Sequence, residues 1–280
     1  MTEIEVQCPI CSEKGLISFS EEILQNVKRG LLAINVPSGT ICSHSFITYV
    51  DRNIKIRDYF TADYQIQIPK IKSIEEEKRK VPERYLNNLH LIKLNVPAIL
   101  ITYILKSIFF KKKVLVISDD LFLNEITLNF FKYITQETFD ISIDFTSKEE
   151  YKQKTKDFRN YIVLEENEIL KNPDKSLNPK KINVEKQIVL RFFSERDLNT
   201  SLQLIKNDIV KAFHLSKSMV DIINESNQVK KVNTIEISKK VEEINDIKIS
   251  SAYLEFLLNI IRNYFDFDIP SVSQSFLKSI

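Results

Sequence analysis

Hydrophobic residues alternate with polar ones in the first part of the chain. The clearest case is the segment HSFITYVDRNIKIRDYF at residues 44–60, where Phe46, Thr48 and Val50 share one face of a strand. Residues 51–53, Asp-Arg-Asn, are typical of a turn, and the period of two resumes after them. Alternation on both sides of a turn predicts a β-hairpin.

Two further elements precede this hairpin, and a charged segment follows it. LLAINVPSGTI, at residues 31–41, predicts a strand that ends at the Pro-Ser-Gly turn, and SEEILQNVKRG, at residues 20–30, predicts a short helix capped by Ser20. The segment IKSIEEEKRKVPER, at residues 71–84, carries dense mixed charge with little periodicity, which is typical of a linker or a solvated helix. We therefore expect a domain boundary there.

In the second part of the chain the pattern becomes an alternation of helices and strands. Val114–Ile117 is wholly apolar, which suits a strand covered on both faces, and helices are predicted at residues 97–110 and after Asp120. Ser147 and Glu150 form a capping box that opens another helix. Three more strands are predicted at residues 139–145, 161–164 and 187–193. This alternation implies a mostly parallel sheet with helical crossovers.

Helical periodicity dominates the remainder, with one apolar stripe from Leu198 to Ala212 and another from Leu254 to Phe265. The predicted fold class is therefore α+β with an α/β core. Its parts are a small zinc-knuckle, β-rich N-terminal module at residues 1–68, a charged linker at 69–88, a central mostly parallel α/β core at 89–194 and a helical C-terminal subdomain at 195–280.

Composition and charge narrow the classes of function. The 40 basic and 38 acidic side chains nearly cancel, so no overall field attracts a polyanion, and nucleic acid is not the expected partner. The first residues, MTEIEVQ, lack the apolar region of a secretory signal. The most apolar stretch, residues 94–110, is short and contains Pro97 and Lys106, which predicts a buried helix rather than a membrane span. A cytoplasmic protein without a membrane span is expected.

Glycine is nearly absent from the chain. The three glycines are Gly15, Gly30 and Gly39, so none follows residue 39. Phosphate-binding loops and nucleophile elbows need glycine because the backbone must adopt positive φ or approach a ligand closely. Nucleotide-dependent chemistry in the α/β core is therefore not expected.

Cys8, Cys11, Cys42 and His44 form the candidate metal site. Cys8-Pro-Ile-Cys11 has the spacing of a zinc knuckle, and Cys42 and His44 are two positions apart, so that on a strand they face the same side. Four protein ligands leave no position for water, so a zinc ion bound here is structural. The alternative is that the three cysteines, too few and odd in number for a disulfide framework, are reduced side chains that only pack.

Asp119 and Asp120 are the second candidate. With Ser118 they follow the strand Val114–Ile117, at the sheet edge where α/β proteins bind ligands and Mg²⁺. A metal site there would make the chain a Mg²⁺-dependent phosphoryl-transfer enzyme. We expect instead that Ser118 or Asp119 caps the next helix, because capping residues are routine at helix starts and no second acidic cluster clearly belongs to this edge. No catalytic residue is assigned, and the chain is not expected to be an enzyme.

Two further features leave alternatives open. Arg52, at the predicted hairpin tip, is either solvated or an arginine finger presented to a partner. The C-terminal segments predict a succession of short helices, as in a helix-turn-helix or winged-helix domain. DNA binding by a protein with a zinc ribbon is therefore an alternative function. The acidic segment VEEINDI, at residues 241–247, disfavours that alternative.

Residues 94–134, LNVPAILITYILKSIFFKKKVLVISDDLFLNEITLNFFKYI, resemble the central part of DENN domains. The shared pattern is an apolar helix, a short basic step, a strand that ends in Ser and a polar residue, and a leucine-rich helix. The resemblance implies an α/β core behind a longin-like β module, in a protein that binds small GTPases and usually promotes guanine nucleotide exchange. The CPxC knuckle and the short N-terminal module depart from that family.

The segments CPIC and GTICSHSFITYVDRNIKIRDY are also similar to N-terminal segments of proteins from Asgard archaea, whose genomes are rich in small GTPases. Together the two resemblances imply a non-enzymatic regulator that binds a small Ras-like GTPase and changes its nucleotide state. Arg52, Asp119 and Asp120 are the candidate partner-binding residues.

Overall fold

The structure is a computed structural model that describes residues 2–20, 31–62, 68–69, 83–225 and 233–269. Residues 21–30 of the helix predicted at residues 20–30, and residues 70–82 of the charged linker predicted at residues 69–88, lie outside the described residues, whereas residues 83–88 begin a helix.

The N-terminal part consists of two small antiparallel sheets. Strands β1 (Thr2–Gln7) and β2 (Lys14–Phe19) form a hairpin. Strands β3 (Leu31–Val36), β4 (Phe46–Asp51) and β5 (Ile56–Phe60) form a second sheet in the order β3-β4-β5. The hairpin predicted at residues 44–60 is therefore confirmed as β4-β5, and the strand predicted at residues 31–41 is confirmed as β3.

All six residues of β4 are buried, although the sequence predicts that only alternate residues face a core. The reason is that β4 is covered on both sides. Phe46 packs with the β1-β2 hairpin around Val6, while Ile47 and Tyr49 face the large core formed by the helices. The central strand therefore joins the N-terminal sheets to the rest of the protein.

The turn between β4 and β5 is organised by the carboxylate of Asp51. One of its oxygens accepts hydrogen bonds from the backbone N–H groups of Asn53 (2.8 Å) and Lys55 (2.9 Å), and the other accepts from Arg57 Nε (2.6 Å). Ile54, predicted to resume the strand, lies in this turn with φ of 60°. The Lys55 amide, together with the Arg57 guanidinium, outweighs burial and lowers the pKa of Asp51.

Acid is expected to weaken this hairpin through Asp51. Because the folded-state pKa is depressed, the stabilising contribution is complete above the unfolded-state pKa of about 3.9 and is lost as the pH falls through the folded-state pKa. The variant Asp51→Asn should be less stable than the wild type at neutral pH, and the difference should shrink below about pH 4. Urea unfolding from pH 7 to pH 2.5 measures it. Asp58→Asn, which removes an exposed charge from the same hairpin, is the control, and a constant difference across this range would contradict the assignment.

The central sheet has four strands in the order β7-β6-β8-β9. Strands β6 (Val114–Ile117), β7 (Ile143–Thr146) and β8 (Ile162–Glu165) are parallel, and β9 (Glu168–Lys171) pairs antiparallel with β8 at the edge. Val114 and Val116 face the large core, whereas Leu115 and Ile117 pack on the opposite face in a smaller cluster. The predicted mostly parallel sheet, with a strand at β6 covered on both faces, is confirmed.

The prediction of a strand at residues 187–193 is wrong, because these residues belong to helix α5 (Asn183–Ser194). This helix is buried against several neighbours, so its apolar residues occupy consecutive positions, including Ile188, Val189, Leu190 and Phe192. A short apolar run of this kind has the same periodicity whether it is a buried strand or a buried helix. The fourth strand of the sheet is β9 instead.

Seven other helices complete the described part of the fold, in addition to a 3-10 turn at Pro179–Lys181. They are α1 (Glu83–Asn95), α2 (Ala98–Phe109), α3 (Leu121–Ile134), α4 (Lys148–Lys154), α6 (Leu198–Glu225), α7 (Thr234–Asn245) and α8 (Ser251–Asn263). The helical C-terminal part is thereby confirmed. Its described residues, 195–225 and 233–269, contain no strand that could serve as the wing of a winged helix.

Helix α2 lies at the centre of the protein. Every residue from Leu100 to Phe109 is buried, including Lys106, which forms an ion pair with Glu185 of α5 at 2.8 Å. The prediction that this apolar segment is a buried helix is confirmed. No single helix of the described chain is long and apolar enough to cross a membrane; only Asn88–Asn95 and Ala98–Phe109 together, across a bend of 105°, meet the requirements of length and composition.

Specific polar contacts tie the β3-β4-β5 sheet to the helices. The backbone N–H of Ala98, at the start of α2, donates to the buried hydroxyl oxygen of Tyr49 at 2.9 Å. On β3, the side chain of Asn35 accepts a hydrogen bond from the Ser194 hydroxyl at 3.2 Å. The predicted border near residue 68 is therefore crossed by a shared core and by hydrogen bonds.

Candidate metal centre

The first two candidate ligands lie in the tight connection between β1 and β2. Cys8 follows the last residue of β1, and its backbone N–H donates to Glu13 O at 2.8 Å. The N–H of Ser12 donates to Cys8 O at 2.9 Å, and Ser12 has φ of 64°, which closes the turn within a few residues. This geometry folds Cys11 back towards Cys8.

The other two candidate ligands lie in the connection between β3 and β4, before β4 begins at Phe46. Cys42 and His44 lie in an irregular loop and not on a strand. Gly39 adopts φ of 88° and donates its N–H to Cys42 O at 2.7 Å. The loop thereby turns the two side chains to the same side without a strand.

Gly15 allows the two connections to approach each other. A Cβ atom at this position of β2 would lie 2.8 Å from Cγ1 of Ile41, which is closer than real side chains come. Ile41 directly precedes Cys42, so the missing side chain of Gly15 lets the second loop settle against the β1-β2 hairpin.

Cys8, Cys11, Cys42 and His44 converge on one point. Their ligand atoms all lie within 4.8 Å of one another. The His44 Nδ1 atom is 3.6 Å from Cys42 Sγ and 3.8 Å from Cys8 Sγ. A tetrahedral zinc ion with typical bonds to sulfur and nitrogen separates such atoms by about 3.6 Å. The cluster is consistent with a structural zinc site with three cysteines and one histidine, as the sequence predicts.

Backbone amides and neighbouring sulfur atoms set the acidity of the thiols. Burial opposes ionisation of Cys8, but hydrogen bonds to its sulfur from the amides of Cys11 and Ile10 (3.4 Å from Ile10), with those from Cys42 and Cys11, lower its pKa. The His44 amide favours the Cys42 thiolate, yet burial and the nearby sulfur atoms of Cys8 and Cys11 raise the pKa of Cys42 to about 11. A negative charge on one sulfur therefore opposes ionisation of the neighbouring thiols. A bound cation would stabilise the three thiolates together.

A zinc ion held by these four residues would act as a structural cross-link. It would join the β1-β2 connection to the β3-β4 connection, and it would leave no position for water or substrate. The cluster of Val6, Cys8, Ile17, Val36 and Phe46 below the site is small. Stability, rather than catalysis, is what this centre can provide.

The carboxylates of Asp119 and Asp120 accept hydrogen bonds from the first turns of two different helices. Asp120 is the N-cap of α3, and its Oδ1 accepts the N–H of Leu123 at 2.9 Å. Asp119 Oδ1 accepts the N–H of Lys148, the first residue of α4, at 3.3 Å. The expected capping is confirmed, although Asp120 rather than Ser118 or Asp119 caps α3. Among the described residues, the Cys8 group is the only cluster of at least three potential ligands that could hold a metal ion.

Replacement of Asp120 by alanine is expected to destabilise the protein by about 1 kcal/mol, the usual cost of losing an N-cap. Asp120→Asn keeps an oxygen that accepts the Leu123 amide, so it should retain most of the stability. Urea unfolding at neutral pH measures both variants. Equal losses for alanine and asparagine would show that the charge, not the cap, is what matters.

Arg52 lies exposed in the β4-β5 turn, as predicted, directly after Asp51. Two other polar features were not identified from the sequence: the buried pair of Lys106 and Glu185, and a pocket rimmed by Asn88 and Asn129. One feature of the sequence indicated the buried ion pair, namely a lysine, Lys106, within an otherwise apolar helix.

Comparisons with family models, with curated proteins and with solved structures find no match for this chain. The fold and the cluster therefore define a class and no more: an α+β protein whose N-terminal sheets carry a zinc-type Cys₃His centre and whose parallel sheet is enclosed by helices.

Proposed function

We propose that this protein is a non-enzymatic regulator that binds a small Ras-like GTPase and shifts its nucleotide state. The observation that carries the proposal is the arrangement around β6. A buried apolar helix, a parallel central strand, a capped turn and a leucine-rich helix follow one another in residues 94–134, the segment that resembles DENN domains.

The order of the parts supports the same proposal. A small antiparallel β module precedes a parallel α/β core, and a helical part follows it. This is the order that the resemblance implies. The zinc-type centre lies in the β module, where it stabilises rather than reacts.

The carboxyl edge of the parallel sheet offers a surface for a protein partner. Leu121 and Phe122, directly after the Asp120 cap, are 83% and 52% exposed. Large apolar side chains that are adjacent and exposed often mark contact sites. Asp119 lies beside them with an exposed carboxylate, and Lys148 pairs with Glu165 at 2.8 Å on the same edge. This edge is therefore the surface that we assign to the GTPase.

Release of labelled GDP tests the proposal. Small Ras-like GTPases of the source organism are loaded with fluorescent GDP, and its release is followed with and without the protein. We expect faster release for at least one of them. The variant Leu121→Ser should reduce the effect, whereas Leu16→Ser, which removes a leucine 64% exposed on β2, should not. If no GTPase binds and none releases GDP faster, the proposal is wrong.

A further inference from the structure

A pocket of about 230 Å³ lies between helices α1, α3 and α6. Its lining is mostly apolar. On α1 and α3 the lining residues are three or four positions apart, so those of each helix lie on one face of that helix. The lining residues are Asn88, Leu89, Ile92, Ile126, Asn129, Phe130, Tyr133 and Leu202.

The size of this pocket fits a planar ring system. A dry apolar cavity of about 150 Å³ is large enough to bind benzene. The present pocket is larger and opens to solvent at one side, so a ring with a short substituent, or two fused rings, can enter it. Ile92, Ile126 and Leu202 would contact the faces of such a ligand, and Phe130 would add an aromatic contact.

Polar groups lie in or next to the pocket on all three of its helices. Asn88 on α1 and Asn129 on α3 each bring a carboxamide to the lining. On α6, Lys206 is one turn beyond Leu202, and its Nζ lies 4.5 Å from the centre of the Tyr133 ring, which is part of the lining. A lysine ammonium and carboxamide N–H groups are donors that suit a carboxylate.

We propose that this pocket binds a small planar aromatic carboxylate. The ring enters between Ile92, Ile126 and Leu202, and the carboxylate stays at the mouth, where Lys206 and the Asn129 carboxamide donate to it. Mostly apolar walls with a few placed polar groups are what small-molecule sites share. None of the residues that line the pocket belongs to the surface assigned to the GTPase, so binding of these probes and binding of the GTPase are measured independently.

Calorimetric titration with three probes tests this site: indole-3-acetate, benzoate and neutral indole. We expect saturable binding at one site per chain, tighter for indole-3-acetate than for indole. Lys206→Met, which keeps the apolar stem, should weaken indole-3-acetate about tenfold, the equivalent of about 1.4 kcal/mol, and leave indole unchanged. Lys217→Met, which removes an exposed lysine from the same helix, is the matched control and should change neither.

Filling the pocket provides the second arm of the test. Ile126→Phe should weaken binding of all three probes at least tenfold while thermal unfolding stays near the wild-type temperature, because the larger ring takes up part of the empty volume. If Ile126→Phe does not fold, Asn129→Leu replaces it and should selectively weaken the anionic probes. The proposal is overturned if no probe saturates, if Ile126→Phe binds the probes as tightly as the wild type, or if Lys206→Met affects charged and neutral probes equally.

Discussion

Removal of zinc, or the substitution Cys8→Ser, is expected to unfold the β1-β2 hairpin and the β3-β4 connection while the helical body stays folded. A two-stranded sheet such as β1-β2 is marginal by itself, and its cluster with β3 and β4 is small. Structural zinc contributes roughly 10–16 kcal/mol to the folding of small zinc-binding peptides. The helices share a much larger core, so they do not depend on the ion.

Hydrogen exchange followed by mass spectrometry separates these two parts of the molecule. With a strong chelator or in Cys8→Ser, amides of β1, β2 and the β3-β4 connection should exchange at least 100-fold faster, a loss of about 2.7 kcal/mol or more. Amides of α2 and α5 should be unaffected. Ser43→Ala, between two ligands but not itself a ligand, is the matched control. Less than one zinc per chain by elemental analysis, after growth with added zinc, would contradict the assignment.

Breaking the buried ion pair of Lys106 and Glu185 is expected to cost about 3–5 kcal/mol, because either single variant leaves an unpaired charge inside the protein. The side chains are only 5% and 2% exposed, their distance is 2.8 Å, and the Lys106 ammonium also lies 4.2 Å from the centre of the Phe110 ring. Glu185→Ala should therefore be strongly destabilised.

A double-mutant cycle isolates this effect. Lys106→Met combined with Glu185→Leu removes both charges and should restore most of the stability that either single variant loses, since apolar replacements of buried pairs are often neutral or stabilising. The exposed pair of Lys14 and Glu5 is the control, and Glu5→Ala should cost no more than about 1 kcal/mol. Urea unfolding measures all variants. A loss of similar size for Glu185→Ala and Glu5→Ala would contradict this account.

The sequence predicted correctly those turns, helix starts and ligands that depend on residues close together in the chain. The turn after β4 has its own carboxylate to satisfy its amides, and Ser147 accepts the Glu150 amide at 3.1 Å as the capping box requires. The four candidate ligands were identified because cysteine and histidine spacing follows the geometry of one ion. These features need no knowledge of distant parts of the chain.

Tertiary contacts decided the features that the sequence did not reveal. The apolar run at residues 187–193 became a helix because α2 and α6 surround it. The β8-β9 hairpin was missed because its turn, Glu166-Asn167, has no glycine, and Glu166 adopts φ of 50° instead. The pairing of Lys106 with Glu185, 79 positions apart, is not encoded in a local pattern.

The affinity of this protein for a small Ras-like GTPase in three nucleotide states tests the central proposal most directly. A regulator can shift an equilibrium only by its difference in affinity between the states. Titration against the nucleotide-free, GDP-bound and GTP-bound forms should give at least a tenfold difference, about 1.4 kcal/mol, with tightest binding to the nucleotide-free form if the protein promotes exchange. Equal affinity for all three forms, or no binding to any of them, would contradict the proposal.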